Sequence, residues 1–266
     1  MCGFVGVIHW DREPVDQPEL DGMIERLRHR GPDQLRAVLP EPGVGLAHVR
    51  LKVIDCSEHA AQPMASDDGR RWLVYNGEVY NFRELRRELE AGGARFASRS
   101  DTEVVLRAYE AWGVDAFRRL DGMFALAVWD GVSRQLVLAR DRAGKKPLFH
   151  WTDGRCLAFG SEIKALLAHR HVPCEVDETA LPVLLTFGYP PSGSTCYRDI
   201  QQLPPASLAC VSADRPRLEP HPYWRVSFEP LRNGSASAVD PAEVRRLLDE
   251  AVRKRLVADV PLGAFL

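Results

Sequence analysis

Apolar residues along this chain fall into short continuous runs and into stripes spaced three and four apart. Short apolar runs that predict strands recur at residues 4–8, 45–54, 72–75, 123–129, 135–139 and 156–159. Between them, residues 19–28, 82–90, 102–112 and 162–168 place apolar side chains three and four apart, as Val104, Val105, Ala108 and Tyr109 do, which predicts helices with one buried face. Residues 123–130 and 135–139, joined by Gly131-Val132-Ser133-Arg134, read as a β-hairpin. Strands come in groups and helices come in groups, without strict β-α-β alternation. That pattern favours a layered α+β fold over a doubly wound parallel sheet.

The pattern breaks between residues 212 and 240, where four prolines, several serines and Asn233-Gly234 mark a connecting segment. Asp240-Pro241-Ala242-Glu243 then predicts a helix start: an N-cap acceptor, a proline at the first helical position and a glutamate to close a capping box. The apolar face of that helix carries Val244, Leu247, Leu248, Ala251, Val252 and Leu256, and it is expected to run to Ala258. Residues 262–266 follow as a strand-like apolar run without a terminator. The expected division is therefore a first domain over residues 1–211, a connecting segment over 212–240, and the incomplete start of a second domain over 241–266.

Composition narrows the function classes. The chain has 266 residues, 45% of them hydrophobic and 27% charged, within the range of folded globular proteins. Thirty-five basic against 37 acidic side chains leave a formal net charge of −2, which is no footprint for nucleic acid or anionic lipid. No apolar window is long enough to span a membrane and no basic segment precedes the N-terminal apolar run, so the expected address is cytoplasmic. The six cysteines are scattered without a C-x-x-C pair, too sparse for a disulfide scaffold.

Cys2 stands apart by position. Removal of Met1, a step expected before a small second residue, would leave one residue carrying both a thiol and a free α-amine. An α-amine titrates near about 7.7–8.0 and a thiol near about 8.5, so the amine is a competent base for its own thiol. The competing reading is a buried cysteine at the start of a strand. Asn76-Gly77 is similarly two-sided, because by itself it reads as the two-residue turn of a hairpin.

Several ordered motifs decide between such readings. Cys2-Gly3-Phe4-Val5-Gly6, Arg28-His29-Arg30-Gly31-Pro32-Asp33, Ala47-His48-Val49-Arg50-Leu51, Tyr75-Asn76-Gly77-Glu78-Val79-Tyr80-Asn81 and Ser100-Asp101-Thr102-Glu103 together resemble the class II glutamine amidotransferases. Within them the chain resembles the glutaminase domain of glutamine-hydrolysing asparagine synthetases. Asp121 to Ala125, Ala139 to Arg142, Lys146 to Phe149, Gly160 to Ala165 and Gln202 to Pro205 extend the likeness to about residue 205. It departs from the family at Lys52, where serine is common, at Arg99 and at Phe149.

The resemblance implies an αββα N-terminal-nucleophile hydrolase sandwich, followed by the first helix and strand of a truncated α/β synthetase domain. It implies Cys2 as the nucleophile toward the side-chain amide of L-glutamine, with Asn76 and Gly77 as the oxyanion hole. Arg50 would meet the glutamine carboxylate, Glu78 and Asp101 its ammonium, and the backbone of Leu51, Lys52, Val53 and Ile54 would line the pocket. Asp101 could also cap the helix that begins at Thr102. The Arg28 to Asp33 motif is expected to pack and turn near the site, without a catalytic histidine. No metal and no cofactor are expected for the glutaminase. The missing synthetase domain would take aspartate and Mg-ATP, with Leu266 at the edge of the ATP site and asparagine as the product. A homodimer is among the assemblies the resemblance allows. Two alternatives stay open: an amidotransferase feeding ammonia to another acceptor, and a non-catalytic interaction module on the same scaffold.

Overall fold

Alternation along the strands sorts the buried side chains into three separate clusters, and three clusters require four layers. The computed structural model describes residues 1–191, 193–227 and 240–264. Its elements run β1 (Gly3–His9), α1 (Gln17–Glu25), β2 (Gln34–Glu41), β3 (Val44–Arg50), β4 (Met64–Ala65), β5 (Arg71–Val79), α2 (Phe82–Ala91) and α3 (Asp101–Trp112). They continue with α4 (Ala116–Arg119), β6 (Gly122–Asp130), β7 (Gln135–Arg140), β8 (Phe149–Thr152), β9 (Cys156–Gly160), α5 (Ile163–Leu166) and α6 (Leu181–Phe187). Last come β10 (Gln201–Gln202), β11 (Ser207–Ser212), β12 (His221–Pro222) and α7 (Pro241–Lys254).

Two antiparallel sheets result, in the orders β10-β8-β9-β1-β3-β2 and β12-β11-β7-β6-β5-β4. Phe4, Ile8, Val44 and Leu46 of the first sheet pack against Val74, Ala127, Trp129 and Leu138 of the second, forming the middle of the sandwich. The opposite faces are covered separately. Val5, Val7, Ala47 and Val49 meet α1 and α5, while Leu73, Tyr75, Leu126 and Val128 meet α2 and α3. The αββα sandwich that the resemblance implies is thus the observed architecture: each strand gives alternate side chains to a helix layer and to the other sheet.

The same alternation aims the chemistry. Phe4 and Ile8 of β1 face the other sheet, as do Val44 and Leu46 of β3 and Val74 of β5. Continuing each strand by twos puts Cys2, Arg50, Asn76 and Glu78 on inward-facing positions at one end of the sandwich.

Local departures from the predicted pattern have local causes. The strand expected over 45–54 stops at Arg50, because the Lys52 N–H goes to the Asp33 carboxylate (2.8 Å) instead of a neighbouring strand. The helix expected over 19–28 ends at Glu25 and is followed by a 3₁₀ turn over Arg28–Arg30. The expected 162–168 helix is one turn, as Ala168 and His169 close tighter bonds to Ala165 and Leu166. Asn76-Gly77 is no turn: both lie inside β5, opposite Ala125 and Phe124 of β6. A Cβ on Gly77 would stand 2.4 Å from the Met123 carbonyl oxygen, so glycine is required by the approach of β6.

At the C-terminal end Asp240 caps α7 as expected, accepting from the Ala242 N–H at 2.9 Å. Glu243 does not close a capping box; it pairs with Arg246 at 2.7 Å. The helix ends at Lys254, short of Ala258, and Leu262 to Ala264 form no strand. Phe265 and Leu266, including the position expected at an ATP site, lie outside the described residues. Among the described residues no helix is long and apolar enough to cross a membrane.

Candidate active site

Cys2 immediately precedes β1 and lines a cavity of about 140 Å³ with Arg50, Leu51, Val53, Ile54, Asn76, Gly77, Glu78 and Asp101. Of the expected site residues within the described chain, only Lys52 is missing from the lining. Its ammonium pairs with Glu58 at 3.0 Å, pointing away along the loop. Six further residues line the cavity without having been singled out: Gln62, Tyr75, Ser100, Thr102, Met123 and Lys146.

Cys2 is held from both sides. Its Sγ accepts from the Leu51 N–H at 3.4 Å, and its carbonyl oxygen accepts from Arg30 Nε at 2.9 Å. Arg30 in turn pairs with Glu162 at 2.7 Å, which also meets His29 at 2.9 Å. The Arg28 to Asp33 motif and the Gly160 to Ala165 motif thus meet behind the cysteine, and their part is to position it. Burial pushes the Cys2 thiol up from its ordinary value, opposed first by the Leu51 N–H and also by the nearby Arg50 charge. Met1 is present in this chain and lines the cavity, its Sδ 3.5 Å from Lys146 Nζ. With Met1 attached, the Cys2 nitrogen is an amide.

Arg50 closes β3 almost fully buried and folds the following loop around itself. Its guanidinium donates to the carbonyls of Ser57 (3.0 Å), Ile54 (3.4 Å) and Asp55. Three of its five N–H donors are used this way, leaving two. Asp55 continues the frame, because its carboxylate accepts from the Arg99 N–H at 2.6 Å. Arg99 therefore serves the frame through its backbone N–H.

Opposite this loop, β5 supplies Asn76, Gly77 and Glu78 in succession. Asn76 is 1% exposed and its Nδ2 is a buried donor with no hydrogen-bond partner. Asp101 is the first residue of α3; the cap is Ser100, whose hydroxyl accepts from the Thr102 N–H at 3.1 Å. The Asp101 carboxylate accepts from Tyr75 Oη (2.8 Å), the Val79 N–H (3.0 Å) and, more weakly, the Ser100 hydroxyl (3.4 Å). Burial raises its pKa, and those donors oppose the rise. Glu78 is pushed up to about 7, first by burial and then by the Asp101 charge. His48, fully buried behind the site, falls to about 3 through burial, so it is neutral and its Nε2–H donates to the Tyr75 carbonyl (3.1 Å). It is a prop for β5, not an acid or base.

Lys146 reaches the cavity on a loop built by the motif Ala139 to Arg142. Arg140 donates to the carbonyls of Gly144 (2.6 Å), Lys146 (2.7 Å) and Leu203 (2.7 Å). Asp141 accepts from the N–H groups of Ala143, Lys145 and Lys146, each at 3.0 Å. Burial lowers the Lys146 pKa, with Arg30 adding to the effect. The signal for it was present in the Lys146 to Phe149 motif.

A thiol, an unpartnered amide donor, two cations and two carboxylates surround a small cavity, an arrangement able to hold a small zwitterion beside the thiol. Comparison with known proteins agrees in fold and sequence. The chain is 40% identical over its full length to asparagine synthetase (glutamine-hydrolyzing) 3 of Bacillus subtilis (strain 168), covering 43% of that protein. It is 36% identical over its full length to asparagine synthetase (glutamine-hydrolyzing) 1 of the same organism, covering 42%. The chain thus spans less than half the length of these relatives. Among solved structures it resembles the glutamine phosphoribosylpyrophosphate amidotransferase of B. subtilis, with a TM-score of 0.60 and 17% identity, covering 83% of this chain and 49% of that one. At that identity the likeness speaks for the αββα fold. The glutamine amidotransferase domain family matches residues 1–224, and this chain belongs to it.

Proposed function

We propose that this chain hydrolyses the side-chain amide of L-glutamine to glutamate and ammonia, with Cys2 as nucleophile once Met1 is removed. The observation that carries the reading is the orphan Asn76 Nδ2, a buried donor on the wall of the cavity that Cys2 lines. Such a donor has no use in the resting protein and a defined use when negative charge develops on a carbonyl oxygen.

The freed α-amine takes the Cys2 thiol proton, and Sγ attacks the amide carbon. Asn76 Nδ2 and the Gly77 N–H receive the oxyanion. Collapse expels ammonia, which leaves with the proton held by the amine, and a glutamyl thioester remains on Sγ. Water, deprotonated by the same amine, then releases glutamate and restores the thiol. Arg50 holds the substrate carboxylate with its remaining donors, while Glu78 and Asp101 face the ammonium. Apart from glutamine and water, every group in these steps belongs to the chain. A thiol nucleophile also fits the cytoplasm, where thiols stay reduced.

Glutamate release by the Met1-processed chain and by Cys2→Ala tests this reading. The variant is expected to lose turnover while keeping its thermal unfolding midpoint. Turnover like that of the parent would overturn it. For a longer protein containing this chain, we propose that the ammonia passes to aspartate activated with Mg-ATP, giving asparagine. ATP-dependent asparagine formation by the longer protein, and none by this chain, is the expected result.

A further inference from the structure

We propose that His9, Cys156 and His169 form a binding site for a thiophilic divalent transition-metal ion of the zinc class, at the end of the first sheet remote from Cys2. His9 closes β1, Cys156 opens β9 as its direct cross-strand partner, and His169 lies in the turn after α5. Nothing in their spacing forms a sequence motif. They meet only because β1 and β9 are neighbours and the one-turn α5 folds back over them.

All three are buried, and one ligand atom from each lies within 4.8 Å of the other two. Cys156 Sγ and His169 Nε2 are 3.9 Å apart. Metal–sulfur and metal–nitrogen bonds of about 2.3 and 2.0–2.1 Å in a tetrahedron put such a pair about 3.6 Å apart. That edge is therefore nearly formed, and modest side-chain rotation closes the rest.

The surroundings set the His9 imidazole in the tautomer a metal needs and ask one change of His169. His9 Nδ1 lies 2.9 Å from the Glu13 carbonyl oxygen, which can only accept, so Nδ1 carries the ring proton and Nε2 keeps its lone pair. At His169 the Nδ1 accepts a long bond from the His171 N–H, 3.3 Å, with Nε2 turned toward Cys156. Ligation through Nε2 moves that ring proton to Nδ1 and exchanges this one contact for the metal bond. Glu19 Oε2 stands 3.7 Å from His169 Nε2, with Arg170 Nε 3.9 Å from the same oxygen, but it is not among the three groups brought together, so the fourth position is left to water from solvent. A cavity of about 220 Å³ adjoins the cluster, lined by Asp11, Glu13 and Asp153 against Arg155 and His171. Two imidazoles and a thiolate select zinc-like ions over magnesium or calcium. Binding displaces the Cys156 thiol proton to solvent.

Cys2 is seven residues from His9, which along a strand is roughly 23 Å at about 3.3 Å per residue. The ion would thus tie the ends of β1 and β9 to the turn after α5 and take no part in glutamine chemistry.

Titration of the metal-stripped full chain with Co²⁺, followed by visible and near-ultraviolet absorption, tests the site. A thiolate-to-cobalt charge-transfer band with tetrahedral ligand-field bands, saturating at one ion per chain and bleached by Zn²⁺, is expected. Cys156→Ser and His169→Gln should lose the charge-transfer band, and Cys2→Ala should keep it. Zn²⁺ should raise the thermal midpoint of the parent and of Cys2→Ala, but not of the other two. Should those two variants fail to fold, alkylation of the parent followed by mass spectrometry replaces them: Co²⁺ should protect Cys156. Absence of the band at millimolar Co²⁺, a band that follows Cys2, or equal alkylation with and without the ion would overturn the proposal and leave a sulfur–imidazole hydrogen-bonded cluster.

Discussion

Asn76 sits 1% exposed within β5 with its Nδ2 unpartnered, so replacing it by alanine acts on stability and on catalysis in opposite directions. A buried polar group left without a partner costs about 1–3 kcal/mol. Alanine removes that group. Asn76 lines the cavity of about 140 Å³, so the space its amide vacates joins that cavity and no separate closed void forms to offset the gain. In a domain of this size 1 kcal/mol corresponds to about 2–4 °C, and the Asn76→Ala midpoint is expected to rise by at least that range. Catalysis moves the other way. Loss of one oxyanion donor lowers kcat by about 10²–10³, or about 2.7–4 kcal/mol of transition-state stabilisation. The KM for glutamine should change little, because the donor meets charge that appears only in the tetrahedral state. Differential scanning calorimetry and steady-state glutamate release read the two effects on one preparation. A lowered midpoint would mean that Asn76 is structural, and a change confined to KM would remove the oxyanion role.

Two further outcomes follow from the same geometry. Glu78, with its pKa near 7 through burial and the Asp101 charge, must be ionised to hold an ammonium, so kcat/KM should fall as pH drops through that value. The Cys2 α-amine must also lose its proton; the log kcat/KM slope should therefore approach 2 in the parent and 1 in Glu78→Gln, and a slope of 2 in the variant would contradict the assignment. Asp259, beyond α7, accepts from the Asp55 N–H and donates its own N–H to the Val53 carbonyl, each at 2.8 Å, so it braces the cavity loop from outside. Asp259→Ala removes one charged acceptor, worth about 1.5–3 kcal/mol. It should raise the glutamine KM about tenfold with kcat nearly unchanged, and a loss confined to kcat would show that the brace does not act on binding.

Where local chemistry decides, the sequence was sufficient. The Asp240-Pro241 helix start and the short apolar runs of β1, β6, β7 and β9 each carry their meaning within a few residues. Elements that lack such a signature were not legible. β2 lies at the edge of its sheet with half-exposed residues along most of its length, and β11 alternates buried and half-buried residues, so neither presents a continuous apolar run. Helix α6 has no fully buried residue and gave no clear stripe.

Tertiary structure decided whatever depends on register. Asn76-Gly77 has the composition of a hairpin turn, and only the pairing of β5 with β6 makes it a strand that aims an amide into a cavity. Arg50 is recognisable as a cation, yet its hold on three carbonyls of the following loop is fixed by where that loop returns. Asp101 looked able to cap its own helix until Ser100 took that place and Tyr75 and Val79 claimed the carboxylate. The meeting of His9, Cys156 and His169 has no counterpart in sequence spacing at all. Residue type and short-range period are properties of neighbours along the chain. Strand pairing is set by the burial of whole strands, and a one-residue slip would turn Arg50, Asn76, His9 and Cys156 to the other face.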